Sequence, residues 1–260
     1  MKARAFLIRG LLAGLLAGIA TFAVAYVVGE PHVDKAIAIE ESSAMPADHH
    51  SEADGAAMAH SHAAAVVSRQ DQSTWGLATG TVTIGVTIGG ILALVSAGVM
   101  GRVGRLSPGT STVLMGAIGY LSVVLIPFLK YPATPPAVGL GDTIGQRTAL
   151  YFTFLLISVV AAATCTVLAA RLLASRGVQG ALLIGAGTYV AVMVVASTLM
   201  PTVDEIGAFP GDVLWDFRLA SLFTLTALWA TVTIVLTALI RRLHAEQVKV
   251  RARRELAASL

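Results

Sequence analysis

The chain has 260 residues, 56% of them hydrophobic and only 13% charged, with a mean hydropathy of +0.78. Soluble domains carry about 25% charged residues, so the composition excludes an ordinary soluble domain and points to a membrane protein. The net charge of +3 and pI near 9.2 do not single out a nucleic-acid binder, because the basic residues fall in short clusters beside apolar runs, as membrane topology demands.

A bilayer core of about 30 Å takes about 20 apolar residues per helical crossing. Six apolar segments meet that length, at residues 6–28, 77–100, 112–128, 150–173, 180–199 and 219–240. Backbone amides in lipid must be satisfied within their own segment, so each is a predicted helix. The fold class is all-α, a polytopic helical bundle of about six transmembrane helices. Residues 1–28 read as a cytoplasmic stub and first transmembrane helix, and 29–75 as an extracytoplasmic acidic and His-rich loop. Residues 76–241 read as a five-helix membrane bundle, and 242–260 as a basic cytoplasmic tail. The start "MKARAFLIRG" with "AVA" at 23–25 resembles a cleaved signal peptide. Its apolar run is longer than such peptides use, and a retained first helix is expected.

With the N-terminus placed in the cytoplasm, 13 of the 18 Lys and Arg fall on the inner side, leaving Lys35, Arg69, Lys130, Arg147 and Arg218 outside. Of the 15 acids only Glu246 and Glu255 fall inside. Both termini are therefore expected to be cytoplasmic, with a carboxylate-rich outer face that attracts cations. Within the spans, Gly10, Gly14 and Gly18 recur every fourth residue, as do Gly76 with Gly80 and Gly85 with Gly89. Such spacing lets helices approach closely in lipid. The lone Cys165 can form neither an internal disulfide nor a cysteine metal site.

The stretch "DHHSEADGAAMAHSH" at 48–62 holds four of the six histidines. Imidazole ligates cobalt, nickel, zinc and copper. His49, His50, His60 and His62 are thus candidate ligands, with Asp48, Glu52 and Asp54 to complete a shell and Met45 and Met58 as softer donors. The alternative is a solvated loop with incidental histidines. Next to the first helix, "VGEPHVDKAIAIEES" supplies His32 with Glu30, Asp34, Glu40 and Glu41. Pro31 is expected to stop the helix there, with a short surface helix following. In "KYPATPPAVGLGDTIGQRT", Asp142 pairs with Arg147 or caps the next helix. "LMPTVDEIGAFPGDVLWDFR" adds Asp204, Glu205, Asp212 and Asp216 to the same side, with Arg218. Glu30, Glu40, Glu41, Glu205, Asp216 and Arg218 are the places where an ion would arrive at the membrane; surface ion pairs beside a Trp215 anchor are the plainer alternative. The spans hold almost no acids, which leaves backbone carbonyls and Thr110, Thr112, Thr164, Thr198 and Thr224 to line a path. No phosphate loop, HExxH, paired cysteine or GxSxG motif is present, and no nucleophile–base pair stands out, so an enzyme is not expected. Any transport would draw on a partner or on the membrane potential.

"RGLLAGLLAGI", "GEPHVDKAIAIEES", "FLKYPATPPAVG" with "DTIGQRT", and "PTVDEIGAFP" with "LWDFRLASL" resemble the CbtA family, predicted cobalt transporter subunits of bacteria. The matching residues are Glu30, Pro31, Glu40, Glu41, Tyr131, Pro132, Pro135, Pro136, Arg147, Pro201, Glu205, Trp215, Phe217 and Arg218. The resemblance implies a multi-pass inner-membrane protein that imports cobalt for cobalamin synthesis. It also implies a small membrane partner, CbtB, that carries a histidine-containing metal motif. The His-rich insert at 48–62 is not part of the resemblance. The expected function is uptake of a divalent transition metal, cobalt first with nickel or zinc possible, captured outside and passed inward. No resident cofactor is expected. The rival is a non-transporting membrane scaffold or metal-sensing subunit for a partner transporter.

Overall fold

A computed structural model describes residues 3–44, 67–102 and 106–259. Among them are five helical stretches long and apolar enough to cross a bilayer: α1 (Ala3–Ser43), α2 (Arg69–Val99), α3 (Pro108–Lys130), α4 (Gly141–Leu199) and α5 (Gly211–Ala258). No strand occurs among the described residues.

The count of six segments is reconciled by α4. At Gly177 the backbone leaves the helical region (φ 67°, ψ −179°), a conformation open in practice to glycine alone. Ser158 Oγ lies 2.8 Å from Tyr189 Oη, whereas a straight helix would hold these residues about 46 Å apart at 1.5 Å per residue. The two arms therefore lie side by side as a hairpin, and they are the fourth and fifth predicted spans.

Glycine sets the α1–α2 crossing. A Cβ added at Gly14 would stand 2.7 Å from the Val86 Cα, one at Gly18 2.6 Å from the Val82 Cα, and one at Gly85 2.8 Å from the Gly18 Cα. Only bare backbones fit there, and the pairings run antiparallel. Gly116 likewise meets Thr233, and Gly119 meets Trp229, seating α3 against α5. Phe6, Leu92, Met115, Leu228, Val232, Leu236 and Ile240 close one core among α1, α2, α3 and α5. A second, smaller core joins Phe154, Ala161 and Met193 of α4 to Ile126 and Tyr131 at the end of α3. Residue 3 and residue 259 lie at one end of the bundle, the terminal face; the 131–140 and 200–210 connections lie at the other, the loop face.

Pro31 does not stop the first helix. A π-helical turn at Ala25–Gly29 precedes it, with the Glu30 N–H bonded to the Ala25 carbonyl five residues back, and the helix runs on to Ala44. The wider turn removes the clash between the proline ring and the carbonyl four residues earlier, which is what breaks an α-helix. Two more π-helical turns occur, at Gln72–Gly76 and at Tyr120–Leu125, the latter followed by Pro127. At the other end of α3, Ser107 caps the helix by accepting the Thr110 N–H, with Pro108 in the first turn. Exposed Tyr26, Trp75 and Trp215 ring the loop-face end of the bundle, where amphipathic rings mark a membrane interface.

Candidate functional site at the loop face

The continuation of α1 past Gly29 brings Glu30, His32 and Asp34 beside the start of α2. Arg69 there pairs with Glu30, and its Nε and Nη2 donate to Asp34 Oδ1 at 3.1 and 2.9 Å. Ser68 caps α2 by accepting the Asp71 N–H at 3.0 Å, which orients the Arg69 end of the helix. The Glu30–Ala44 stretch also packs on α5. His32 Nδ1 and Arg218 Nε are buried without a hydrogen-bond partner among the described residues.

A second constellation ties the two long loop-face connections together. Glu205 accepts the Leu140 N–H at 3.0 Å and the Thr143 hydroxyl at 2.7 Å, and Arg147 Nε stands 3.5 Å from the same carboxylate oxygen. The Leu140 amide and then the Thr143 hydroxyl hold the Glu205 carboxyl below the usual carboxylate range; desolvation opposes them, and the Arg147 charge adds a smaller lowering. Lys130 Nζ donates to the Met200 carbonyl at 3.1 Å and Tyr131 Oη to the Pro201 carbonyl at 2.7 Å. Arg147 thus pairs with Glu205 rather than with Asp142, and Thr143, not Asp142, stands at the start of the helix.

A third constellation lies inside the bundle. With bonds spaced five residues apart in the π-helical turn of α3, Ile126 N–H takes the Leu121 carbonyl. The next donor due would be residue 127, bonding Ser122, but Pro127 has no N–H. Ser158 Oγ donates to the Ser122 carbonyl instead, at 2.7 Å. Since the Ser158 proton is committed there, the 2.8 Å contact makes Tyr189 the donor to Ser158. The relay Tyr189 → Ser158 → Ser122 joins both arms of α4 to α3.

The predicted ligands fare differently. His49, His50, His60, His62, Asp48 and Glu52 lie outside the described residues. Glu30 and Glu205 are engaged by arginines, while Glu40, Glu41 and Asp216 are exposed. Asp216 and Arg218 make no ion pair among the described residues; two residues apart on a helix, they point to different sides. Among the described residues, no three His, Cys, Asp or Glu gather closely enough to hold a metal ion. Thr112 is buried in the four-helix core while Thr164 and Thr198 sit on exposed faces of α4, so these hydroxyls line no common path. Each bonds a carbonyl of its own helix. Sequence reasoning missed Arg69, Thr143, Ser122, Ser158 and Tyr189. The one available signal for the relay was Pro127 inside an apolar run beside a span that carries a serine.

Comparison with the curated proteins and with the solved structures found no match. The family described as probable cobalt transporter subunit (CbtA) matches residues 3–241. That span runs from the first described residue to the terminal-face end of the membrane part of α5, and by it the chain belongs to the family of probable cobalt transporter subunits.

Proposed function

We propose that the chain is the membrane subunit of a cobalt uptake system that captures metal at the loop face and passes it inward. The observation that carries this reading is the family match over residues 3–241, on a chain with five bilayer-length apolar helices. The charge pattern supports a loop face outside and both termini in the cytoplasm, and the membrane in this reading is the bacterial inner membrane. On that side His49, His50, His60 and His62, with His32, Asp48 and Glu52, raise the local concentration of cobalt, or of nickel or zinc. The exposed Glu40, Glu41 and Asp216 extend the attraction. A subunit implies a partner, and a small CbtB-like membrane protein is the expected one. Energy comes from that partner or from the membrane potential, which favours inward cation movement by about 2.3 kcal/mol per charge per 100 mV.

Radiocobalt uptake by cells expressing the chain, with and without the partner, tests the proposal. Uptake above that of empty cells is expected. Deletion of residues 48–62 should lower uptake at limiting cobalt and leave it unchanged at saturating cobalt. Uptake equal to empty cells in both settings would overturn transport. It would leave the second reading, a scaffold or metal-sensing subunit. That reading is favoured by one observation: Glu30 and Glu205, the most enclosed loop-face carboxylates of the candidate set, are already held by Arg69 and Arg147.

A further inference from the structure

The α4 hairpin touches the rest of the chain mainly through Tyr120–Lys130 of α3. That contact contains two kinds of attachment. At the loop face the Lys130, Tyr131 and Glu205 bonds clasp both ends of the hairpin. The Tyr131 and Phe154 rings add an edge-to-face contact, with centroids 5.8 Å apart. About 21 Å from the start of the first arm at Ile144, and about 6 Å past Phe154 at 1.5 Å per residue, Ser158 makes the last polar bond to α3 among the described residues. From Ser158 to the bend at Gly177 the arm continues for about another 28 Å. On this part Val160 is 55% and Val167 53% exposed, and just past the bend, on the second arm, Val178 is 65% and Leu183 75% exposed; the arms pack chiefly on each other, as at Gly185 against Ala169 and Cys165.

We infer that α4 is a hinged hairpin, fixed at the loop face and free to part from the bundle at the terminal face, with the Ser158 bond to the Ser122 carbonyl as its latch. The latch is one bond between side chain and backbone of different helices. The Ser122 carbonyl is free only because the π-helical turn and Pro127 withhold its helical donor, and Ser158 has a second partner in Tyr189. Breaking the bond leaves the Ser122 carbonyl without a donor in lipid and loosens the small core of Phe154, Ala161 and Met193 against Ile126 and Tyr131, so the closed state is favoured. The open state is therefore the minor member of a two-state pair. Parting the arms from Tyr120–Lys130 of α3, the part of the bundle they pack on, widens the gap toward the terminal face. That this gap releases a transported cation rests on the proposed function; the motion itself does not.

Spin-label distances on the full chain in lipid nanodiscs, with Cys165→Ser to leave only introduced thiols, test the hinge. One pair, Ala174→Cys with Ala238→Cys, spans the hairpin tip and α5. A second, Thr134→Cys with Thr202→Cys, spans the loop-face clasp. Ser158→Ala is expected to move the tip pair to longer distances by about 5 Å or more, the scale of a one-turn displacement, while the clasp pair stays narrow. Tyr189→Phe, which deletes one hydroxyl and keeps the packing, should move the tip pair in the same direction by less, and it carries the test should Ser158→Ala fail to fold. A tip pair unmoved by both variants overturns the hinge; so does a clasp pair that moves as far as the tip. Motion without cobalt uptake would retain the hinge and remove the transport reading, and uptake without motion would do the reverse.

Discussion

Between α1 and α2 the backbones themselves touch, whereas between α3 and the α4 hairpin the junction is made by hydroxyls, one edge-to-face ring pair and a small apolar cluster. Both contacts face the same difficulty: lipid is as apolar as the side chains, so burying oil gains little between helices. The first contact answers with dispersion across a close backbone crossing, the second with directed hydrogen bonds. The consequence is measurable in burial. In the most apolar stretch of α4, 22% of residues are buried, against 33% in each of the other four helices. A contact built on shape has one arrangement; a contact built on one bond and its replacement has two.

The largest effect is expected on the shape-built side. Gly14→Leu puts a side chain where even a Cβ would stand 2.7 Å from the Val86 Cα, and the atom in the way is backbone, which cannot rotate aside. The cost should exceed the about 1–3 kcal/mol usual for an overpacked core. Thermal unfolding in detergent should show a lower midpoint, and the amount of chain recovered from membranes should fall. Gly80→Leu is the control, since nothing lies within 4 Å of a Cβ there; it should change little.

A smaller effect is expected at the hydroxyl junction, in a double-mutant cycle. Ser158→Ala removes the donor to the Ser122 carbonyl and should lower stability by about 0.6–1.7 kcal/mol. Pro127→Ala restores a backbone N–H that can take that carbonyl. In its presence Ser158→Ala should cost less, and the difference is the coupling that denaturant titration would read. Full additivity of the two would mean that Pro127 has nothing to do with the freedom of that carbonyl.

The shape-built contact was legible in sequence and the bond-built one was not. Glycines at 10, 14, 18, 85 and 89 announce themselves by spacing, and small-residue repeats in apolar helices have one common meaning. The six apolar segments likewise matched real helices, and the charged "ASRGVQG" between the fourth and fifth coincides with the bend at Gly177. The π-helical turns escaped because hydropathy does not distinguish a bond four residues back from one five back. Pro31 was therefore expected to end a helix that continues. The pairing of Arg69 with Glu30 and Asp34 escaped for another reason. Topology places all three on one side, but a 35- to 39-residue separation carries no register. Asp142, close in sequence to Arg147, was the natural partner to expect, and Glu205 displaced it from another loop.

The smallest effect separates the two ends of the hairpin by pH. The clasp contains a carboxyl that titrates in acid and the latch contains none. Glu205 is held below the ordinary carboxylate range by the Leu140 amide, the Thr143 hydroxyl and the Arg147 charge. A carboxyl lowered in the folded state contributes stability that is fully present above its unfolded value, and that contribution is lost as pH falls through the lower folded one. The clasp pair of spin labels should therefore stay narrow at neutral pH and broaden only in acid, below the ordinary glutamate value of 4.5. Glu205→Gln, which keeps an acceptor but loses the charge, should broaden it modestly at every pH and abolish the acid dependence. The tip pair, whose latch is two hydroxyls and a carbonyl, should show no step of its own over the same range. Were the tip to respond to acid while the clasp did not, the hairpin would be fixed at the wrong end.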